Sequence, residues 1–88
     1  MIVELYTSAF CAPCRAARRV VREAGRLVPA ARVTEVDVAD HPDLAAAERI
    51  SSTPTVLVRD GGGREVFRAA GAPTLPQVLA ALARALEP

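Results

Sequence analysis

Cys11 and Cys14, separated by Ala12-Pro13, are the only thiols in the chain. A pair at this spacing can cycle between dithiol and disulfide, supply half of a metal site, or form a small structural bridge. A closed zinc site takes two further Cys or His ligands, and only His41 remains, so one chain cannot complete it. A structural bridge over so short a loop adds little, and no dense cysteine framework accompanies it. Redox cycling is the leading reading.

The position of the pair strengthens it. Cys11 falls where a helical pattern opens, and Pro13 is tolerated in a first turn whose N–H groups lack intrahelical partners. Cys11 is therefore expected at or near the N-cap. A thiolate there meets unsatisfied N–H groups and the positive end of the helix, which lowers a cysteine pKa from ~8.5 into a range of roughly 3.5–7.5. Cys14 lies one turn further in and is expected to be more enclosed and less ionised. Cys11 is thus assigned the attack and Cys14 the resolution of the mixed disulfide. Arg15 adds a nearby positive charge.

The flanking elements must hold this pair. Ile2 to Thr7 reads as a strand buried in the middle of a sheet. A helix from Cys11 to about Ala24 carries Ala16, Val20, Val21 and Ala24 on one stripe, with Arg15, Arg18, Arg19 and Arg22 around the rest. Gly25 either ends that helix or loosens its last turn. Arg32 to Val38 alternates with period two, and strand, helix and strand make a right-handed parallel unit. Asp40 or His41 caps a second helix with Pro42 near its first position, running to about Arg49. Thr55 to Arg59 is the third strand, joined through Asp60-Gly61-Gly62-Gly63 to a fourth from Arg64 to Arg68. Ala69 to Pro73 is a loop. Thr74 and Gln77 form a capping box for a last helix whose Leu75, Val78, Leu79, Leu82 and Leu86 face the core.

Length and composition narrow the function further. The 88 residues suit one domain covering 1–88, and an apolar fraction of 51% is ample for a core. A net charge of +1 gives no reason to expect nucleic acid or an anionic membrane as partner. The glycines after Asp60 are no phosphate loop, because no Lys-Ser/Thr follows. No stretch reaches the ~20 apolar residues of a membrane span, and Met1 runs straight into Ile2-Val3-Glu4 without a leader pattern. A reducing cytoplasm is expected, where a disulfide is more often catalytic than structural. His41 is read as a capping or surface residue, and Tyr6 and Phe10 as core and site-rim packing. Glu4 has two readings, a proton acceptor for Cys14 or the partner of an arginine, and the second is favoured.

The order β-α-β-α-β-β-α, with CxxC opening the first helix and Thr-Pro heading the third strand, resembles the thioredoxin superfamily. Phe10-Cys11-Ala12-Pro13-Cys14-Arg15 is similar to its active-site segment, Ser52-Thr53-Pro54-Thr55 to its cis-proline loop, and Gly71-Ala72 to the glycine loop before the final helix. The likeness is to the small glutaredoxin-sized members, including short archaeal and bacterial thioredoxins. It implies an α/β fold with a four-stranded mixed sheet in the order 2-1-3-4, flanked by helices, and a cis Thr53-Pro54 bond.

It also implies function. The chain is expected to be a thiol-disulfide oxidoreductase acting on disulfide-containing proteins through Cys11 and Cys14. Phe10, Ala12, Pro13, Thr53, Pro54 and Gly71 would contact the substrate. A monomer is expected, with no metal and no cofactor beyond the Cys11–Cys14 disulfide, and with an external reductase or glutathione as electron donor. Two alternatives stand beside this: a glutathione-linked, glutaredoxin-like enzyme, and a non-catalytic module holding zinc or an iron–sulfur cluster as a dimer. Ala12-Pro13 is closer to the Gly-Pro of thioredoxins than to the Pro-Tyr of glutaredoxins, which favours protein disulfides. Two departures from the family are visible: no tryptophan precedes Cys11, and Leu5 stands where thioredoxins carry a buried aspartate. Glu4, Glu35 or water is left to take the Cys14 proton.

Overall fold

In a computed structural model that describes residues 1–87, four strands form one mixed sheet. They are β1 (Ile2–Thr7), β2 (Arg32–Asp37), β3 (Thr55–Arg59) and β4 (Glu65–Ala70), in the spatial order β2-β1-β3-β4. The β1 and β2 strands are parallel, with Leu5 opposite Glu35 and Thr7 opposite Asp37. The β1–β3 and β3–β4 pairs are antiparallel. The central strands are the apolar ones, as burial on both faces requires.

Alternation along β1 divides the molecule. Val3 and Leu5 point to one face and pack with Val56 and Val58 of β3 beneath two helices, α1 (Ala12–Leu27) and α3 (Leu75–Ala85). Glu4 and Tyr6 point the other way, toward Glu48, which follows the short α2 (Pro42–Ala47). Tyr6, Leu5 and Leu57 are fully buried.

Several boundaries differ from the sequence reading, each for a packing reason. The buried stripe of α1 is Cys14, Ala17, Val21 and Ala24, so Ala17 takes the core place expected for Ala16. Val20 packs only partly against it. The helix passes through Gly25 to Leu27. A Cβ on Gly25 would lie 2.8 Å from Val33 Cγ2, so the glycine lets the helix approach β2. The β2 strand ends at Asp37, although the Val38 N–H still bonds to the Thr7 carbonyl. The α2 helix ends at Ala47, and Arg49 takes the left-handed conformation beyond it. His41 is its N-cap residue but makes no side-chain cap bond.

The β4 strand continues to Ala70, because β3 offers pairing partners as far as Thr55. In α3 the capping box of Thr74 and Gln77 is formed as read. Its core residues are Val78, Ala81, Leu82 and Ala85. Leu86 is the C-cap residue and lies exposed, since the chain turns out of the core there.

Candidate active site

The C-terminal end of β1 leads through Ser8, Ala9 and Phe10 into α1, and Cys11 is the N-cap of that helix. Cys11 has an extended backbone, and its Sγ accepts the Cys14 N–H at 3.2 Å. The side chain therefore occupies the place where Ser or Asp usually satisfies a first-turn donor. Cys11 and Cys14 are joined as a disulfide, with Cα atoms 5.2 Å apart. Cys11 is partly exposed, whereas Cys14 is 1% exposed against the core. The asymmetry expected from helix position is present. Phe10 precedes the pair at φ 56 and is fully exposed; Ala12 and Pro13 are exposed beside it.

A second wall comes from the loop before β3. The Thr53-Pro54 bond is cis, Pro54 is buried and Thr53 half-buried. The Ser8 and Thr53 hydroxyl oxygens are 2.5 Å apart, which ties this loop to the segment carrying Cys11. Thr55 Oγ1 donates to the Ser52 carbonyl at 2.7 Å and closes the loop on itself. Gly71, at φ 96, donates its N–H to the Pro54 carbonyl at 2.8 Å, so the loop after β4 joins the same wall. Gly71, Thr53 and Pro54 are brought together, and Ser8 connects them to the cysteine segment.

The surroundings decide between the readings of Glu4. Arg59 Nε donates to Glu4 Oε1 at 2.8 Å, and Arg59 Nη2 lies 2.7 Å from Glu48 Oε2, off the angle of a hydrogen bond but close enough for an ion pair. Glu4 thus stands on the opposite face from Leu5 and serves the sheet, as favoured. Burial, with Glu4 and Glu48 nearby, pushes the Tyr6 phenol up. Leu5 lies in the core, and among the described residues no carboxylate is buried there.

Glu35 has a different setting. It lines a cleft of about 480 Å³ that also touches Cys11, Arg15 and Arg18. Arg18 donates Nε and Nη2 to its two carboxylate oxygens at 2.8 and 2.7 Å, and Thr7 Oγ1 donates at 3.1 Å. These hydrogen bonds, Arg18 first, hold the Glu35 carboxyl below its ordinary value. Arg18 is one of four arginines outside the apolar stripe of α1, and nothing in the sequence sets it or Ser8 apart. The parity of β2 was the available clue: Glu35 pairs with inward Leu5, which turns it toward α1.

Comparison with known proteins agrees with this arrangement. The Thioredoxin family model matches residues 1–84. The chain belongs to the thioredoxin family. It is 34% identical over 85 residues to a thioredoxin of Methanocaldococcus jannaschii, covering 96% of this chain and 94% of the relative. A thioredoxin of Mycoplasma genitalium is 36% identical over 62 residues, 70% of this chain and 60% of that protein. Thioredoxin 1 of Thermosipho africanus superposes with a TM-score of 0.84 at 22% identity, over 98% of this chain and 94% of that one, a likeness of fold.

Membership together with the Cys11–Cys14 pair makes this chain a thiol-disulfide oxidoreductase. The glutathione-linked and cluster-holding alternatives are not favoured by these relatives. Thioredoxins take disulfide-containing proteins as substrates and a reductase as partner, and they need no cofactor. No group of three His, Cys, Asp or Glu side chains suited to a metal occurs among the described residues, and no helix there is long and apolar enough to cross a membrane.

Proposed function

We propose that Cys11 is the attacking thiolate and Cys14 the resolving thiol in the reduction of protein disulfides. The observation that carries this is the cap geometry: a partly exposed Cys11 Sγ accepts a first-turn N–H, while Cys14 is buried one turn behind it. Negative charge on Sγ is stabilised there by backbone dipoles that need no rearrangement.

The chemistry balances as two exchanges. The Cys11 thiolate attacks one sulfur of the partner disulfide, forming a Cys11–partner disulfide and releasing the other partner sulfur as a thiolate that takes up a proton. Cys14 then loses its proton and attacks Cys11 Sγ. The Cys11–Cys14 disulfide forms, and the second partner thiol leaves. Two electrons have passed from the Cys11 thiolate and Cys14 thiol to the partner, with one proton from Cys14 and one from solvent, and an external reductase or glutathione restores the electrons and the Cys14 proton.

The partner segment lies across Phe10, Ala12 and Pro13 on one side and Thr53, Pro54 and Gly71 on the other. The backbone of Thr53 is free to pair with an extended strand, because β3 begins only at Thr55. The chain works as one domain over 1–88, as a cytoplasmic monomer, with no metal and no cofactor beyond its own disulfide.

Reduction of insulin disulfides by dithiothreitol tests the assignment. Cys11→Ser is expected to abolish catalysis, and Cys14→Ser to accumulate a mixed disulfide with substrate. A Cys11→Ser protein that still turns over would overturn it. The midpoint potential is expected near about −270 mV, the thioredoxin range.

A further inference from the structure

The cleft beside Cys11 opens on the β2 side of β1, whereas the Thr53-Pro54 loop leads into β3 on the other side. Four charged residues line this cleft: Arg15 and Arg18 from α1, Glu35 and Asp37 from β2. Asp37 turns one carboxylate oxygen to the Ala39 N–H at 2.8 Å. Arg18 and Glu35 are joined by two parallel hydrogen bonds, so both carboxylate oxygens and one edge of the guanidinium are committed to each other. The Thr7 hydroxyl fixes the carboxylate from below.

Reduction places charge in this neighbourhood. The neutral Cys11–Cys14 disulfide takes up two electrons and one proton to become a Cys11 thiolate and a Cys14 thiol. A field from the cleft therefore acts on the reduced form and leaves the oxidised form nearly untouched. An uncompensated cation beside the thiolate would stabilise the reduced protein and make it a weaker reductant; an uncompensated anion would do the reverse.

We propose that the Arg18–Glu35 pair is a charge lock that keeps the Cys11–Cys14 couple reducing by withholding the Arg18 charge from the Cys11 thiolate. Both are positioning residues that act on the sulfur only through the field. The inference rests on the reading of Cys11 as the thiolate of the pair.

The test is the equilibrium of the couple with glutathione in three variants. Glu35→Gln keeps the shape and an acceptor for Thr7 while freeing the Arg18 charge, and is expected to favour the reduced form about two- to fivefold. Arg18→Gln exposes the Glu35 charge and is expected to favour the disulfide by a similar factor. The double variant should return to the parent value, and each single shift should shrink in about 1 M salt. A merely structural pair would move both single variants together, along with their melting temperatures. Shifts of equal sign, or no shift in folded variants, overturn the lock. If Arg18→Gln does not fold, Glu35→Gln alone still decides, because its shift toward the reduced form is required. These equilibria do not depend on which cysteine attacks a partner. Insulin turnover by Cys11→Ser would therefore overturn the nucleophile assignment separately.

Discussion

Ser8 Oγ lies 2.5 Å from Thr53 Oγ1, a contact between residues 45 apart in sequence that joins the segment before Cys11 to the cis-proline loop. One hydroxyl donates to the other, so removing either leaves a half-buried partner unsatisfied. Ser8→Ala is expected to cost about 1 kcal/mol of stability. It should also raise KM for insulin, since the two walls of the site would no longer hold a fixed spacing. Ser8→Thr keeps the hydroxyl and should restore both. Urea unfolding of the three proteins reads the first effect, and an unchanged midpoint in Ser8→Ala would mean that water replaces the bond.

Phe10 is an exposed aromatic in the left-handed region, a conformation that costs a bulky residue about 1 kcal/mol. It gives the core nothing in return, so contact with a partner is the role to test. Phe10→Asn, which tolerates this backbone, is expected to leave stability equal or raise it by up to about 1 kcal/mol while increasing KM several-fold. A stability loss would show instead that Phe10 belongs to the fold.

Arg59 stands between Glu4 and Glu48, with side chains 17%, 20% and 28% exposed. Arg59→Met would leave two carboxylates facing each other over buried Tyr6. A loss of about 2 kcal/mol is expected, larger than for Glu48→Gln, which removes one of two partners. Equal losses in chemical denaturation would contradict this picture of a shared cation.

Gly25 is a helix-interior glycine whose replacement by alanine ordinarily gains about 1 kcal/mol. Here the new methyl group would meet Val33 at 2.8 Å, and a branched side chain packed on the sheet cannot swing away. Gly25→Ala is therefore expected to destabilise by about 1 kcal/mol. In a Val33→Ala background the same change should become stabilising. A double-mutant cycle without such a sign reversal would place the constraint elsewhere.

Acid should weaken the fold through its arginine-paired glutamates. Glu35, Glu23 and Glu65 are held below the ordinary value of 4.5 by hydrogen bonds from Arg18, Arg26 and Arg68 respectively. A carboxyl depressed on folding contributes stability that is complete above its unfolded value and is lost as pH falls through its folded value. Urea midpoints should therefore hold steady from about pH 7 to about pH 5.5 and decline below about pH 4.5. Arg18→Gln should flatten part of that decline. An identical acid profile in the variant would remove Glu35 from the account.

Local chemistry made much of the molecule legible. The apolar run of Ile2 to Thr7 marked a buried central strand, the period of Arg32 to Val38 a half-exposed one, the Thr74-Gln77 box the start of α3, and proline beside a cysteine the start of α1. These features depend on residues a few positions apart, so neighbours in sequence suffice to read them. Where the local signal was degenerate, the reading slipped. Ala16 and Ala17 are the same residue type, and only the packing of Cys14 and Val21 selects Ala17 for the core. Ala69 and Ala70 carry little strand preference of their own and extend β4 because β3 supplies partners.

Charge pairing lay furthest from reach. Eleven arginines and ten acids allow many matches. The Arg18–Glu35 pair follows from the register of β2 on β1 and the path of α1 across them. The Arg59–Glu4 pair likewise follows from two strands lying side by side, 55 residues apart in sequence. The sequence by itself determined the redox pair, the order of elements and the contrast between a buried first strand and a half-exposed second, because short-range periodicity and capping encode them. The tertiary structure alone decided which hydroxyl meets Thr53 and which cation sits beside Glu35, because ion pairs and hydrogen bonds form between side chains that only the folded register brings within reach.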